Sequence, residues 1–256
     1  MKIALVQVSL YWEDISANLS HLEELIWTLK EPVDLIVLPE MFSTGFSMQA
    51  EKLAEPMHFH TFKWMKQMAQ QMDAAITGSY IIKEASRFYN RLVWMQPDGL
   101  FYTYDKRHLF TYAGEQSVYT AGTERILIEW KGWTFCPLVC YDLRFPVWSR
   151  NNAQHPYDIL LYVANWPQRR IAAWNTLLKA RAIENACYSL GVNRVGNDGN
   201  GIYHNGDTAG YDFLGTQLIH STDKEEVLIL TLEKQPLDAY RAAFPVLSDG
   251  DAYSLL

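Results

Sequence analysis

At 256 residues, 49% hydrophobic and 20% charged, the chain has the composition of one large globular domain with length to bury a core, so residues 1–256 are expected to form a single domain. A net charge of −7, no basic block longer than Arg169-Arg170 and no apolar run near the ~18 residues of a membrane helix argue against nucleic acid and membrane as partners. Three cysteines are an odd count and the first apolar run is too short for a signal peptide, so a reducing, cytoplasmic setting without disulfides is expected.

The elements follow in chain order. Ile3 to Val8 reads as a buried strand. Leu19, Leu22, Leu25, Ile26 and Leu29 recur at helical spacing and predict a helix from Asn18 to Lys30, which Pro32 stops. Val33 to Leu38 is a second buried strand, His58 to Met72 a helix, and Ala74 to Ile82 a strand. Tyr89 to Gln96 and Leu100 to Tyr104 flank Pro97-Asp98-Gly99 and predict a hairpin. Ile126 to Trp130 and Trp133 to Val139 flank Lys131-Gly132 and predict another. Asp158 to Ala164 is a strand, Ala172 to Ala186 a helix, and Tyr188 to Val195 a strand. A Gly- and Asn-rich loop is expected from Gly196 to Gly206, then strands at Phe213 to Ile219 and Val227 to Leu232, with the last two dozen residues irregular. Strands that alternate with helices, interrupted by hairpins, fit an α/β layered sandwich with mixed sheets and helices on the outer faces.

Three strand ends carry reactive side chains: Glu40 in Leu38-Pro39-Glu40, Lys106 in Asp105-Lys106-Arg107-His108, and Cys140 in Val139-Cys140-Tyr141-Asp142. Taken singly, each has a bland reading. A buried cysteine is usually a small hydrophobe, which suffices for Cys136 and Cys187, and a glutamate or lysine is usually solvated. Cys140 differs because its strand ends there and Tyr141 to Pro146 reads as a sharp turn into a helix. Such an elbow projects the side chain and frees the next backbone N–H for an oxyanion. A carboxylate as general base, an ammonium as anion stabiliser and a thiol as nucleophile make acyl transfer through a thioester. Gly196 to Gly201 lacks the Gly-Lys-Ser/Thr ending of a phosphate loop, and His58 and His60 have no partners at metal-ligand spacing. No cofactor or metal is expected.

Taken in order, Leu38-Pro39-Glu40, Asp105 to Phe110, Cys140 to Pro146, Ala164 to Pro167, Arg181 to Asn185 and Asn193 to Gly196 resemble the signature segments of the nitrilase (carbon–nitrogen hydrolase) superfamily, nearly end to end. The resemblance implies a four-layer αββα sandwich, a homodimer through the outer helices, and a Glu40–Lys106–Cys140 triad. It also implies a second glutamate seven residues before a glycine, here Glu115 before Gly122, orienting the lysine and the amide. Within the superfamily the chain looks most like the ω-amidase branch, whose small-molecule substrates are 2-oxo acid amides such as 2-oxoglutaramate and 2-oxosuccinamate. Another amide, carbamoyl or deaminated-glutathione hydrolase is the alternative, and a scaffold without turnover the non-enzymatic one. The oxyanion would sit between Lys106 and the Tyr141 N–H. Phe46 and Trp166 are candidates to line the substrate, with Arg169 and Arg170 as candidates to hold its carboxylate; the alternatives are that both are solvated surface charges, or that backbone N–H groups and aromatic hydroxyls hold it. A cleft lysine adds little packing, so Lys106→Met is expected to leave folding intact.

Overall fold

The computed structural model describes residues 1–251. Its strands are β1 (Lys2–Gln7), β2 (Leu35–Val37), β3 (Ala75–Glu84), β4 (Arg87–Met95), β5 (Phe101–Asp105), β6 (Ile128–Trp130), β7 (Trp133–Val139), β8 (Ile159–Ala164), β9 (Tyr188–Asn193), β10 (Val195–Asn197), β11 (Tyr203–Tyr211), β12 (Gln217–Thr222) and β13 (Glu226–Thr231). The helices are α1 (Ile15–Trp27), α2 (Ala50–Leu53), α3 (His60–Met72), α4 (Pro146–Ser149), α5 (Ile171–Glu184) and α6 (Lys234–Ala243).

Two mixed sheets result. One runs β13-β1-β2-β3-β4-β5, with β1, β2 and β3 parallel and the other pairings antiparallel. The second runs β10-β11-β9-β8-β7-β6, with β12 added on β11 and β7, β8 and β9 parallel. The side chains of β1 show why its sequence is apolar without alternation. Ile3 and Leu5 join the core between the sheets, while Ala4 and Val6 pack under α1 and α3. A strand covered on both faces needs apolar residues at every position. Trp94 of β4 meets Phe135 of β7 across the sheets at 4.8 Å between ring centroids. On the far side Trp174 and Leu178 of α5 pack on the second sheet against Gly191. The layers are therefore helix, sheet, sheet, helix, as expected.

Four local expectations need correction. First, β3 runs on to Glu84 and turns through Ala85 and Ser86, both at positive φ, straight into β4, so β3, β4 and β5 form a meander. Second, Gly196 to Gly206 is no simple loop, because β10 and the start of β11 pair within it, Val195 opposite Asn205. Ladder hydrogen bonds need backbone, not apolar side chains, which hides such a hairpin from pattern reading. Gly206 is required there, because a Cβ would lie 2.2 Å from Gln7 Oε1. Third, the strand expected at Phe213 begins at Gln217, since Asp212 caps a turn through the Leu214 and Thr216 N–H groups. Fourth, the C-terminal stretch is not wholly irregular. α6 buries Leu237, and its Arg241 pairs with Asp158 at 2.9 Å. Residues 252–256 of that stretch, and of the 1–256 domain expectation, lie outside the described residues.

Candidate active site

The strand ends deliver their side chains to one rim. Glu40 follows β2, Lys106 follows β5, Cys140 follows β7, and Glu115 stands on a short 3-10 turn, Glu115–Ser117. Glu40 and Glu115 are fully buried, Lys106 is 1% exposed and Cys140 9%. Lys106 Nζ donates to Glu40 Oε1 at 2.9 Å and to Glu115 Oε2 at 2.9 Å, so one ammonium bridges two carboxylates. Glu115 is held in turn by the Phe110 N–H at 2.5 Å. Gly122 closes this arrangement. Its N–H bonds the Lys106 carbonyl at 3.0 Å, and a Cβ would stand 2.1 Å from the Asp105 carbonyl oxygen.

The electrostatics follow from burial and proximity. Burial opposes the Lys106 charge, but Glu115 and Glu40 more than offset it and raise its pKa. Burial raises the Glu115 pKa, Lys106 opposes, and the Glu40 charge adds to the rise. Burial pushes the Cys140 thiol well above the usual thiol range, and the Glu40 carboxylate adds to that rise against the pull of Lys106. A thiol so held is protonated at neutral pH, and its nucleophilic use requires a base beside it.

Cys140 has φ +45°, in the left-handed region that non-glycine residues avoid. It opens a 3-10 turn, Cys140–Arg144, that leads into α4 with Pro146 at its first position. The Tyr141 N–H lies in the first turn, where no intrahelical acceptor exists. Asp142 fixes this elbow to the lysine segment. Its carboxylate accepts from the Val139 N–H at 3.1 Å, the Tyr104 hydroxyl at 2.7 Å and the His108 N–H at 2.9 Å.

A pocket of about 630 Å³ opens over these groups. Phe46 and Trp166 line it as expected, and Lys106 Nζ sits 5.2 Å over the Phe46 ring. Arg169 and Arg170 also line it, but from the rim. Both stack on the exposed Tyr112, at 5.6 and 4.7 Å, and Arg169 is itself exposed. Arg144 reaches the pocket from the Cys140 elbow and lies 4.9 Å over the Trp166 ring. Among the described residues none of the three guanidiniums has an acidic partner.

Sequence reading missed Arg144, Asn90, Asp142 and Asn165. The Asn165 N–H donates to Glu40 Oε2 at 2.9 Å, and Asn90 Nδ2 donates to Glu40 Oε1 at 2.8 Å. Arg144, Asp142 and Asn165 stood inside quoted segments, so a signal existed for them, while Asn90 carried none.

The comparisons agree with this geometry. The carbon–nitrogen hydrolase family model matches residues 2–242. The chain is 46% identical to the omega-amidase YafV of Yersinia enterocolitica, over all of this chain and 99% of that one. It is 29% identical to a 2-oxoglutaramate amidase of Bacillus subtilis, over 96% of each chain. A CN-hydrolase superfamily protein of Xanthomonas campestris, solved with an arsenic adduct in its active site, superposes with a TM-score of 0.97 at 45% identity, covering 100% of this chain and 98% of that one. A buried carboxylate, ammonium and thiol at the strand ends of an αββα sandwich, with these likenesses over the full length, place the chain in the carbon–nitrogen hydrolase family, the nitrilase superfamily.

Proposed function

We propose that this enzyme is an ω-amidase, hydrolysing the terminal amide of 2-oxo dicarboxylic acid monoamides such as 2-oxoglutaramate or 2-oxosuccinamate. Glu40 takes the thiol proton as Cys140 Sγ attacks the amide carbon. The oxyanion gathers between Lys106 Nζ and the Tyr141 N–H. Glu40 returns its proton to the nitrogen, ammonia leaves, and a thioester remains. Glu40 then deprotonates a water that attacks the thioester, releasing the 2-oxo diacid and restoring the thiol. Glu115 orients the lysine throughout. The observation that carries this reading is the Lys106 ammonium lying 2.9 Å from both Glu40 and Glu115 beside Cys140. Glu115 takes the ammonium through both oxygens, at 2.9 and 3.1 Å, so one hydrogen shared between them and one on Glu40 leave the third for an oxyanion.

The substrate's carboxylate end is assigned to Arg144, with Arg170 and Arg169 behind it toward solvent. A guanidinium stacked on Trp166, with no acidic partner among the described residues, supports a planar, bidentate carboxylate contact. Release of ammonia and 2-oxoglutarate from 2-oxoglutaramate tests the reading. Turnover of a neutral amide of the same length at an equal kcat/KM would sink the substrate assignment.

The chain is further proposed to work as one domain over residues 1–256, as a cytoplasmic homodimer. Three free, buried cysteines fit a reducing compartment. Ile183 of α5, 44% exposed, lies against the turn carrying Leu214, 60% exposed, and Phe244 after α6 is 53% exposed. Exposed apolar residues on the outer helical layer suit a self-complementary contact. Sedimentation at micromolar concentration distinguishes dimer from monomer. No helix among the described residues is long and apolar enough to cross a membrane.

A further inference from the structure

Asn90 belongs to none of the motifs that point to the site, yet its side chain touches both acids. It stands on β4, 1% exposed, with its amide nitrogen 2.8 Å from Glu40 Oε1 and 3.3 Å from Glu115 Oε1. Its side-chain oxygen has no partner among the described residues, so the polar contacts of the side chain all go to the two carboxylates. A flipped amide would set that oxygen against two anions, so charge fixes the orientation. Its main-chain carbonyl accepts the Lys106 N–H at 3.0 Å.

Resting on the assignment of Glu40 as base and Cys140 as nucleophile, we propose that Asn90 is a positioning residue. It engages Glu40 Oε1 together with Lys106, which leaves Glu40 Oε2, bonded by the Asn165 N–H, as the oxygen that takes the thiol proton. A carboxylate pinned by two donors on one oxygen and one on the other cannot rotate about its last bond without breaking a contact. Asn90 is also a neutral donor between two buried anions that share one cation. It holds them together without adding a charge or a titrating proton. The titratable groups around this point are Lys106, Glu115, Cys140 and Tyr119. The neighbouring Arg91 alternates to the opposite face of β4 and is engaged by Asp105 and Glu84.

The test uses the alkylation rate of Cys140 by iodoacetamide, read by intact mass against pH, beside kcat and KM. Thiol alkylation depends on the base and not on substrate identity, so it separates this proposal from the choice of substrate. At every pH measured, Glu40→Gln is expected to slow that rate by roughly 100-fold or more. Asn90→Asp replaces the amide donor by a third carboxylate on one ammonium, so the alkylation rate should fall roughly 10-fold. Asn90→Leu should slow both alkylation and kcat by roughly 10- to 100-fold through misplacement, with KM within about threefold. Asn90→Asp is nearly isosteric and carries the test if Asn90→Leu does not fold. An Asn90→Asp thiol that reacts at the wild-type rate overturns the proposal, as does an Asn90→Leu thiol that does so. A wild-type thiol indifferent to Glu40→Gln overturns the base assignment and this role with it.

Discussion

The two ends of the pocket treat charge in opposite ways. At the floor, Lys106, Glu40 and Glu115 are buried and paired with one another, each group fixed by at least two hydrogen bonds. Along the wall, Arg144, Arg169 and Arg170 rest on aromatic rings, with no acidic partner among the described residues. Buried charge must be neutralised by the protein itself, so the floor is complete without ligand. Charge at a half-open wall keeps contact with water and stays available for a ligand's carboxylate. On the proposed function, the floor serves the chemistry and the wall the selection of substrate.

Substitutions can break this contrast at either end. The largest effect is expected from Cys140→Ala, which should lower kcat by about 10⁴-fold or more while thermal unfolding stays within a few degrees of wild type. Near-normal ammonia release from that variant would remove the thioester from the reaction.

Lys106→Met is expected to lower kcat by roughly 10²-fold or more, as loss of one oxyanion donor does. The structure also reverses the expectation that such a variant folds normally. Removing the ammonium leaves two buried glutamates without their cation, at a cost of roughly 3–5 kcal/mol. Denaturant unfolding measures that loss. An unchanged midpoint would mean that the floor is not held by its own charges.

At the wall, Arg144→Ala should reduce kcat/KM for a 2-oxo acid amide by about 30-fold or more, roughly 2 kcal/mol, and leave a neutral amide nearly untouched. Equal losses on both substrates would assign Arg144 to packing on Trp166 and not to the carboxylate.

His204 lines another part of the pocket, and burial, with Arg194 adding, lowers its pKa to about 4. Unfolding lets it return to its ordinary value near 6.5, so between those values the unfolded chain binds more protons. Its contribution is therefore complete above pH ~6.5 and lost as pH falls toward 4, by roughly 1–3 kcal/mol. Unfolding free energies of wild type and His204→Gln across that range should converge at the acid end. Parallel curves would show that His204 is not the group being protonated. The smallest effect is expected from Arg169→Ala, under about threefold in kcat/KM, because an exposed guanidinium in water adds little. A larger loss, confined to the acid substrate, would move the anchor outward to the rim.

Much of the molecule was legible before any coordinates. Continuous apolar runs such as Ile3 to Val8 announce strands covered on both faces, and Leu19 to Leu29 announces a helix with one buried side. The segments around Glu40, Lys106 and Cys140 point to one chemistry because acid, amine and thiol each end a strand, while Glu115 is reached through the family resemblance. What the pattern leaves out is partnership. Periodicity encodes which face of an element is buried, not which atom it meets. The β10–β11 pairing is made by backbone groups that every residue carries, and α6 is masked by Pro236 and by having one fully buried position, Leu237, in place of an apolar stripe.

The same limit separates the residues of the site. Glu40 is recognisable from its own segment, but its hold on Asn90 spans 50 residues of chain and that on Asn165 spans 125. As sequence, Arg169 is a candidate for the carboxylate and Arg144 is passed over, although both are arginines near a strand end. Only the folded chain decides between them. The Cys140 elbow turns Arg144 inward onto Trp166, while the segment after Pro167 leaves Arg169 in water on Tyr112. The ordered segments, and the family resemblance they carry, indicated which chemistry the chain supports, because reactive groups are properties of residues. Tertiary structure decided which charges are paired and which are left open, because pairing depends on distance, and distance is set by the packing of the two sheets.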